Sequence, residues 1–145
     1  MIYTLDTNIF IDALRQPAEL AALKAFLTWA LPHTALSSVV ASELLAGARS
    51  PAARRLVDGE LLAAFARRGR IIAPSSDAWL KTGIVLAQPD GATTGGGLTQ
   101  NDLLLAHTAR EWGWTVITRD RDFVRIRHHV KGLQVGPPYP RQPTS

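Results

Sequence analysis

Apolar residues fall in short runs separated by longer stretches with helical spacing, and the two patterns alternate along the chain. IYTL (residues 2–5) is short and apolar enough for a buried strand, and Asp6 and Thr7 supply helix-start chemistry before IFIDAL. Pro17 suits the first turn of a second helix, with Leu20, Leu23, Leu27 and Leu31 at helical spacing until Pro32 stops it. A brief strand is predicted near Thr34–Leu36, then a helix, VVASELLAGA, capped by Ser37 or Ser38. Ser50-Pro51 opens another helical stretch, weakened at Gly59, before LLAAFARR. RIIAP (70–74) reads as a third strand, and Ser75 or Ser76 starts a helix running to about Gln88. PDGATTGGG (89–97) is too rich in turn formers for regular structure and is predicted to be a mobile loop beside the site. Thr99 starts the helix QNDLLLAHTAREW and Gly113 ends it. TVIT (115–118) is predicted as a fourth strand, DRDFVRIR as a short helix and LQV (133–135) as a last edge strand.

Short apolar strands alternating with longer helices imply a parallel sheet covered on both faces. The expected fold class is therefore α/β, a three-layer α/β/α sandwich with a mostly parallel central sheet of four or five strands. The length, 145 residues, suits one domain, here 1–136, and the tail 137–145 (PPYPRQPTS) is expected to be disordered. A hydrophobic content of 46% with 19% charged residues is that of a globular protein rather than a disordered one. No run approaches the roughly 18 apolar residues needed to cross a membrane. The amino terminus has no basic region followed by an apolar core, so no secretory signal is expected. With no cysteine, disulfide staples and thiolate metal sites are excluded, and a cytoplasmic location is the expectation.

Charge changes the picture. The chain carries a net +4, and of its 16 basic residues only Lys24, Lys81 and Lys131 are lysine. Arginine presents a planar fork that matches phosphate oxygens, which favours a nucleic-acid partner. A codon bias toward arginine would leave the same composition.

The acids carry the more specific signal. Asp6 ends the first predicted strand, Glu43 lies in the first turns of the helix after the second, Asp102 follows Thr99 by three residues, and Asp120 lies just past the fourth strand. In an open parallel sheet the carboxyl ends of the strands face one crevice, where ligands bind. Taken singly, each acid has a structural explanation: Asp6 as a cap, Thr99-x-x-Asp102 as a capping box, Glu43 as a first-turn acid favoured by the helix dipole, Asp120 as a turn residue. Their joint placement exceeds what capping requires. Carboxylates brought within a few ångströms repel, and one would take up a proton at neutral pH unless a cation joined them. Oxygen ligands without cysteine or paired histidines favour Mg²⁺ or Mn²⁺, and such a centre suits phosphodiester hydrolysis.

LDTNIFID, SELLAG, TQNDLLLA and TRDRDF, in this order and spacing, resemble the signature segments of the PIN-domain family, nearest to the small bacterial VapC-type toxins of type II toxin–antitoxin pairs. The resemblance covers roughly residues 2–135. It implies a metal-binding acidic quartet at Asp6, Glu43, Asp102 and Asp120, with Asn8 and Thr118 supporting the site. TRDRDF holds two acids: Asp120, nearer the strand end, is the expected ligand, and Asp122 a helper or a helix cap. The resemblance further implies Mg²⁺- or Mn²⁺-dependent cleavage of RNA leaving a 5′-phosphate and a 3′-hydroxyl, a homodimer, and an antitoxin that plugs the acidic groove. The GATTGGG loop does not match the usual pattern.

Around these segments, Arg119 and Arg121 flank Asp120 and are candidates for holding RNA phosphates, or for pairing with the acids when no metal is bound. His128 and His129, adjacent on a helix, do not face one direction and read as surface residues. Trp29, Trp79, Trp112 and Trp114 are expected to pack or to form a dimer face rather than stack on bases. GGG (95–97) lacks the lysine of a phosphate-binding loop. Two other functions compete with a nuclease. A phosphatase with Asp6 as nucleophile would want a second Asp where the chain has Asn8, and a non-catalytic RNA-binding or interaction module would have had no reason to keep all four acids.

Overall fold

The computed structural model describes residues 2–89 and 98–144. The loop expected at 89–97 falls, except for its first residue, outside them. Five strands form one parallel sheet in the order β3-β2-β1-β4-β5: β1 (Tyr3–Leu5), β2 (Thr34–Ser37), β3 (Ile71–Ile72), β4 (Thr115–Ile117) and β5 (Gln134–Gly136). Helices cover it as the alternating pattern requires, giving the expected three-layer α/β/α arrangement. They are α1 (Thr7–Arg15), α2 (Pro17–Ala30), α3 (Ser38–Gly47), α4 (Pro51–Leu56), α5 (Ala63–Ala66), α6 (Ser76–Leu86), α7 (Gln100–Trp112) and α8 (Asp122–His129).

The chain runs outward from β1 through β2 to β3, then crosses back to lay β4 against the other side of β1. The direction of winding reverses between β1 and β4, so a crevice opens at their carboxyl ends. The strands are short and buried: Leu5, Leu36, Val116 and Ile117 are fully enclosed. Helix starts obey their local chemistry, with side-chain caps from Asp6, Ser37, Ser50, Ser75 and Thr99. Gly113 ends α7 in the left-handed region (φ 74°), where a Cβ would cost energy, and turns the chain straight into β4.

Three elements depart from the pattern. At the weak point Gly59 the helical stretch continues but widens from α4 into a π-helical stretch, Val57–Leu62, before α5. The extra residue per turn re-phases the apolar positions, so that Val57, Leu61, Leu62 and Phe65 all reach the core. β3 is only two residues, shorter than RIIAP, because Pro74 has no N–H to give to a ladder. The segment after β5, expected to be disordered, carries one ring in a fixed place: Tyr139 packs on Phe26 of α2 at 5.3 Å between centroids.

Leu36 lies at the centre of β2, fully buried between β1 and β3. Leu36→Ala is expected to destabilise the fold by about 2–5 kcal/mol, read as a lowered midpoint in urea unfolding with unchanged slope.

Candidate active site

The parallel register fixes the centre of the site. Leu5 pairs with Ile117, and the Asp6 amide continues the ladder by donating to the Ile117 carbonyl at 3.0 Å. One residue on, Asp6 and Thr118 are therefore neighbours across the strand ends. The Thr118 hydroxyl donates to Asp6 Oδ2 at 2.8 Å and accepts from the Asp120 amide at 2.9 Å. Asn8 Nδ2 approaches the same oxygen at 3.4 Å. Thr118 thus joins the end of β1, the start of α1 and the turn after β4. The other oxygen of Asp6 accepts the Thr7 amide at 2.8 Å, so the carboxylate is also the cap of α1. Capping and site-building are here the same act.

Glu43 reaches in from the second turn of α3, where its Oε1 accepts the Thr7 hydroxyl at 3.0 Å. Asp102 stands in the first turn of α7, its amide capped by Thr99 at 3.1 Å. Asp120 accepts the amide of Asp122 at 2.9 Å and so begins α8, while Asp122 occupies that helix's first turn.

Electrostatics shows which acids share a field. Burial is the main cause that pushes Asp6 up to about 6, and the charges of Asp120 and Glu43 add to it against the lowering hydrogen bonds from Thr118 and Thr7. Asp102 also rises to about 6, first through burial, then through the charges of Asp6, Asp120 and Glu43. Asp6 and Asp102 thus each feel the charges of Asp120 and Glu43. Of the two acids of TRDRDF, Asp120 is the one whose charge is among the causes of both shifts.

The donor set fits a hard divalent cation: carboxylate oxygens, no sulfur, and a buried Asn8 Oδ1 that has no hydrogen-bond partner among the described residues. Among the described residues, no three Asp, Glu, His or Cys side chains stand at direct metal-ligating spacing. The acids share an electric field rather than a finished coordination sphere.

Arg119 departs from expectation. Its guanidinium pairs with Asp12 of α1 at 3.1 Å and Glu19 of α2 at 2.6 Å and lies over the Tyr139 ring, 5.9 Å from its centroid, so it is not free for RNA and does not pair with the four acids. Asp12, Glu19 and Tyr139 had no signal in the sequence: charged residues on outward helix faces and a tyrosine in a proline-rich tail look ordinary until the fold stacks them. Trp114 is buried and Trp29 packs on Tyr3 and Phe26, whereas Trp79 and Trp112 remain about half exposed.

A PIN-domain family profile matches residues 3–129. The chain belongs to the PIN-domain family. Solved structures with this fold include the FitAB complex bound to an IR36 DNA fragment, whose matching chain is 21% identical with a TM-score of 0.69, covering 99% of this PIN domain and 100% of its own length. FitAcB from Neisseria gonorrhoeae is 22% identical (TM-score 0.65; 92% and 96% coverage). VapBC2 from Rickettsia felis, bound to a promoter DNA fragment, is 23% identical (TM-score 0.60; 94% and 98%). No curated protein sequence matches the chain.

Two predictions follow from the site's electrostatics and its hub. Asp6 and Asp102 bind a proton more tightly folded (about 6) than unfolded (3.8), so their contribution to stability is full below about pH 4 and is lost as pH rises through 6. In EDTA, the difference in unfolding free energy between wild type and Asp6→Asn should swing by on the order of 2–3 kcal/mol between pH 4 and 7.5, with the variant the more stable at the higher pH. Thr118→Val should cost about 1–3 kcal/mol by stranding the Asp120 amide and Asp6 Oδ2, and Thr118→Ser should recover most of it in urea unfolding.

Proposed function

We infer that this PIN domain is a metal-dependent endoribonuclease and the toxin of a type II toxin–antitoxin pair. PIN-domain toxins are typically nucleases and generally use divalent metals. The observation that supports the reading is the pair of carboxylates Asp6 and Asp102, both pushed up to about 6 by burial and by the charges of Asp120 and Glu43, after the carboxyl end of β1 and in the first turn of α7. Such a cluster costs stability unless a cation relieves it.

Asp6, Glu43, Asp102 and Asp120 would hold Mg²⁺ or Mn²⁺, directly or through the waters that Mg²⁺ tends to keep. The ion, when bound, lowers the pKa of a water and offsets the charge that develops on the phosphate. Thr118 and the Thr7 amide fix both oxygens of Asp6, so its carboxylate keeps one orientation. Thr7 does the same for Glu43 from the neighbouring turn. That two-sided grip also weighs against a phosphatase in which Asp6 attacks phosphorus, since a nucleophilic carboxylate needs an oxygen free to swing onto its target.

Partner proposals draw on two surfaces. An apolar groove of about 280 Å³, walled by Ile11, Leu14, Leu44, Leu56 and Val57, ends at Glu43, and a cognate antitoxin segment seated there would cover the acids. Solved relatives of this fold are toxin–antitoxin complexes. α6 turns Trp79, Leu80 and Ile84 outward, 48–68% exposed, which supports burial of this helix between two copies in a homodimer. Among the described residues no helix is long and apolar enough to cross a membrane.

Mixed structured RNA incubated with Mg²⁺, Mn²⁺ or EDTA should be cleaved by wild type only with metal, to 5′-phosphate ends, and Asp6→Asn should lose at least a hundredfold in rate. Mg²⁺ or Mn²⁺ should also raise the melting temperature of wild type at pH 7.5 and leave Asp6→Asn nearly unmoved. Cleavage that persists in EDTA and in the variant would sink the metal-nuclease reading. RNA binding without cleavage, lost on arginine rather than acid substitution, would favour the binding-module alternative.

A further inference from the structure

Four arginines, Arg119, Arg121, Arg125 and Arg127, stand in the nine residues 119–127 after β4, and the fold uses them differently. Arg119 is consumed by Asp12, Glu19 and Tyr139. Arg121 and Arg127 are exposed, and among the described residues neither guanidinium has a hydrogen-bond, ion-pair or ring partner. Both line a single groove of about 260 Å³ between α8 and the end of β5. One end of that groove is Thr118 and Asp120 themselves. Its apolar lining comes from Val124, 63% exposed on α8, with Val135 and Pro137.

This pairing answers a physical difficulty of the acidic centre. Clustered carboxylates repel the phosphates of any RNA that approaches them, and more strongly where water is excluded. A cation in the centre offsets only the phosphate that it touches. The phosphates on either side of the cleaved bond need positive charge of their own, within a nucleotide's length of the acids. Two unspent guanidinia in a groove that opens on Asp120 meet that requirement, and arginine's fork suits a phosphate. Beyond these guanidinia, Thr118, Arg119 and Asp120, the lining is carbon surface from Phe123, Val124, Val135 and Pro137, so a sugar and base can pack there with little reading by hydrogen bonds.

We propose that the groove between α8 and β5 is the subsite for the nucleotide next to the scissile phosphodiester in single-stranded RNA. Arg121 and Arg127 hold its phosphate, and Val124 and Val135 pack against its sugar and base. The proposal deepens the ribonuclease reading and rests on it. It assigns Arg127 and Val124 to the substrate path, beside Arg119, which also lines the groove but is held by Asp12 and Glu19. The subsite takes an unpaired strand, because a cleft of this size between a helix and a strand end admits one nucleotide unit and not a duplex. It is tolerant of base identity.

The test measures binding and cleavage separately. A fluorescein-labelled oligouridylate is titrated with wild type, Arg121→Gln, Arg127→Gln, the double variant and Val124→Asp, over a range of salt. An oligoadenylate and an RNA duplex serve as comparisons, and Arg67→Gln, exposed on the opposite edge of the sheet after α5, as the control. Each arginine lost should weaken binding and lower the slope of log K against log salt by about 0.7, whereas Arg→Lys should keep the slope. Val124→Asp should weaken binding as well, and Arg67→Gln should change nothing. In cleavage, the arginine variants should raise KM several-fold with kcat little altered. Unchanged binding and salt slope in the double variant, with wild type still cleaving RNA, would overturn the subsite and leave the nuclease standing. Preference for the duplex would overturn the single-strand assignment. Arginine-dependent binding with no cleavage by wild type would instead remove the nuclease reading and keep the groove as an RNA contact.

Discussion

The pairing of β1 with β4 is the constraint on which the rest depends. Leu5 opposite Ile117 is an ordinary apolar pair in a buried sheet, yet it decides what lies one residue further along each strand. A slip of one residue would turn Leu5 toward the other face and separate Asp6 from the Thr118 hydroxyl. Because the strands are parallel and adjacent at the point where the winding reverses, their carboxyl ends leave a crevice that the following helices do not fill. Sheet order sets Asp6 beside Thr118, and the turn after β4 adds Asp120.

That centre is built at the expense of stability. Asp6, only 5% exposed, is held by two hydrogen bonds that favour its charge, while burial and its acidic neighbours oppose it, and the opposition prevails. A core designed for stability alone would place an apolar residue there. The surrounding structure tolerates the conflict because the groups involved are overdetermined: Thr118 bonds to three residues from three segments, and Asp6 and Asp120 both begin helices. These shared hydrogen bonds tie the acids to the frame of strands and helices.

Much of this was legible in the chain. The alternation of short apolar runs with helical stretches gives the element order and the parallel sheet, and the caps Asp6, Ser37, Ser75 and Thr99 start helices where the sequence places them. The acids were legible as a set because each stands next to a strand end or a helix start. What the sequence left hidden depends on distance in the chain. Arg119 meets Asp12 and Glu19 about a hundred positions away, and local pattern gives no sign of such a meeting. The π-helical stretch was hidden for another reason: Gly59 signals weakness in a helix but not the kind of rearrangement that resolves it.

The Thr118–Asp6 hydrogen bond spans 112 positions of the chain. Synthesis runs from the amino end, so Asp6, Glu43 and then Asp102 leave the ribosome before the strand that gathers them has been made. A chain released early, or cut in its last third, carries most of the acids and has nothing to hold them together. Whatever chemistry the centre performs belongs to the finished protein, and the growing chain is without it.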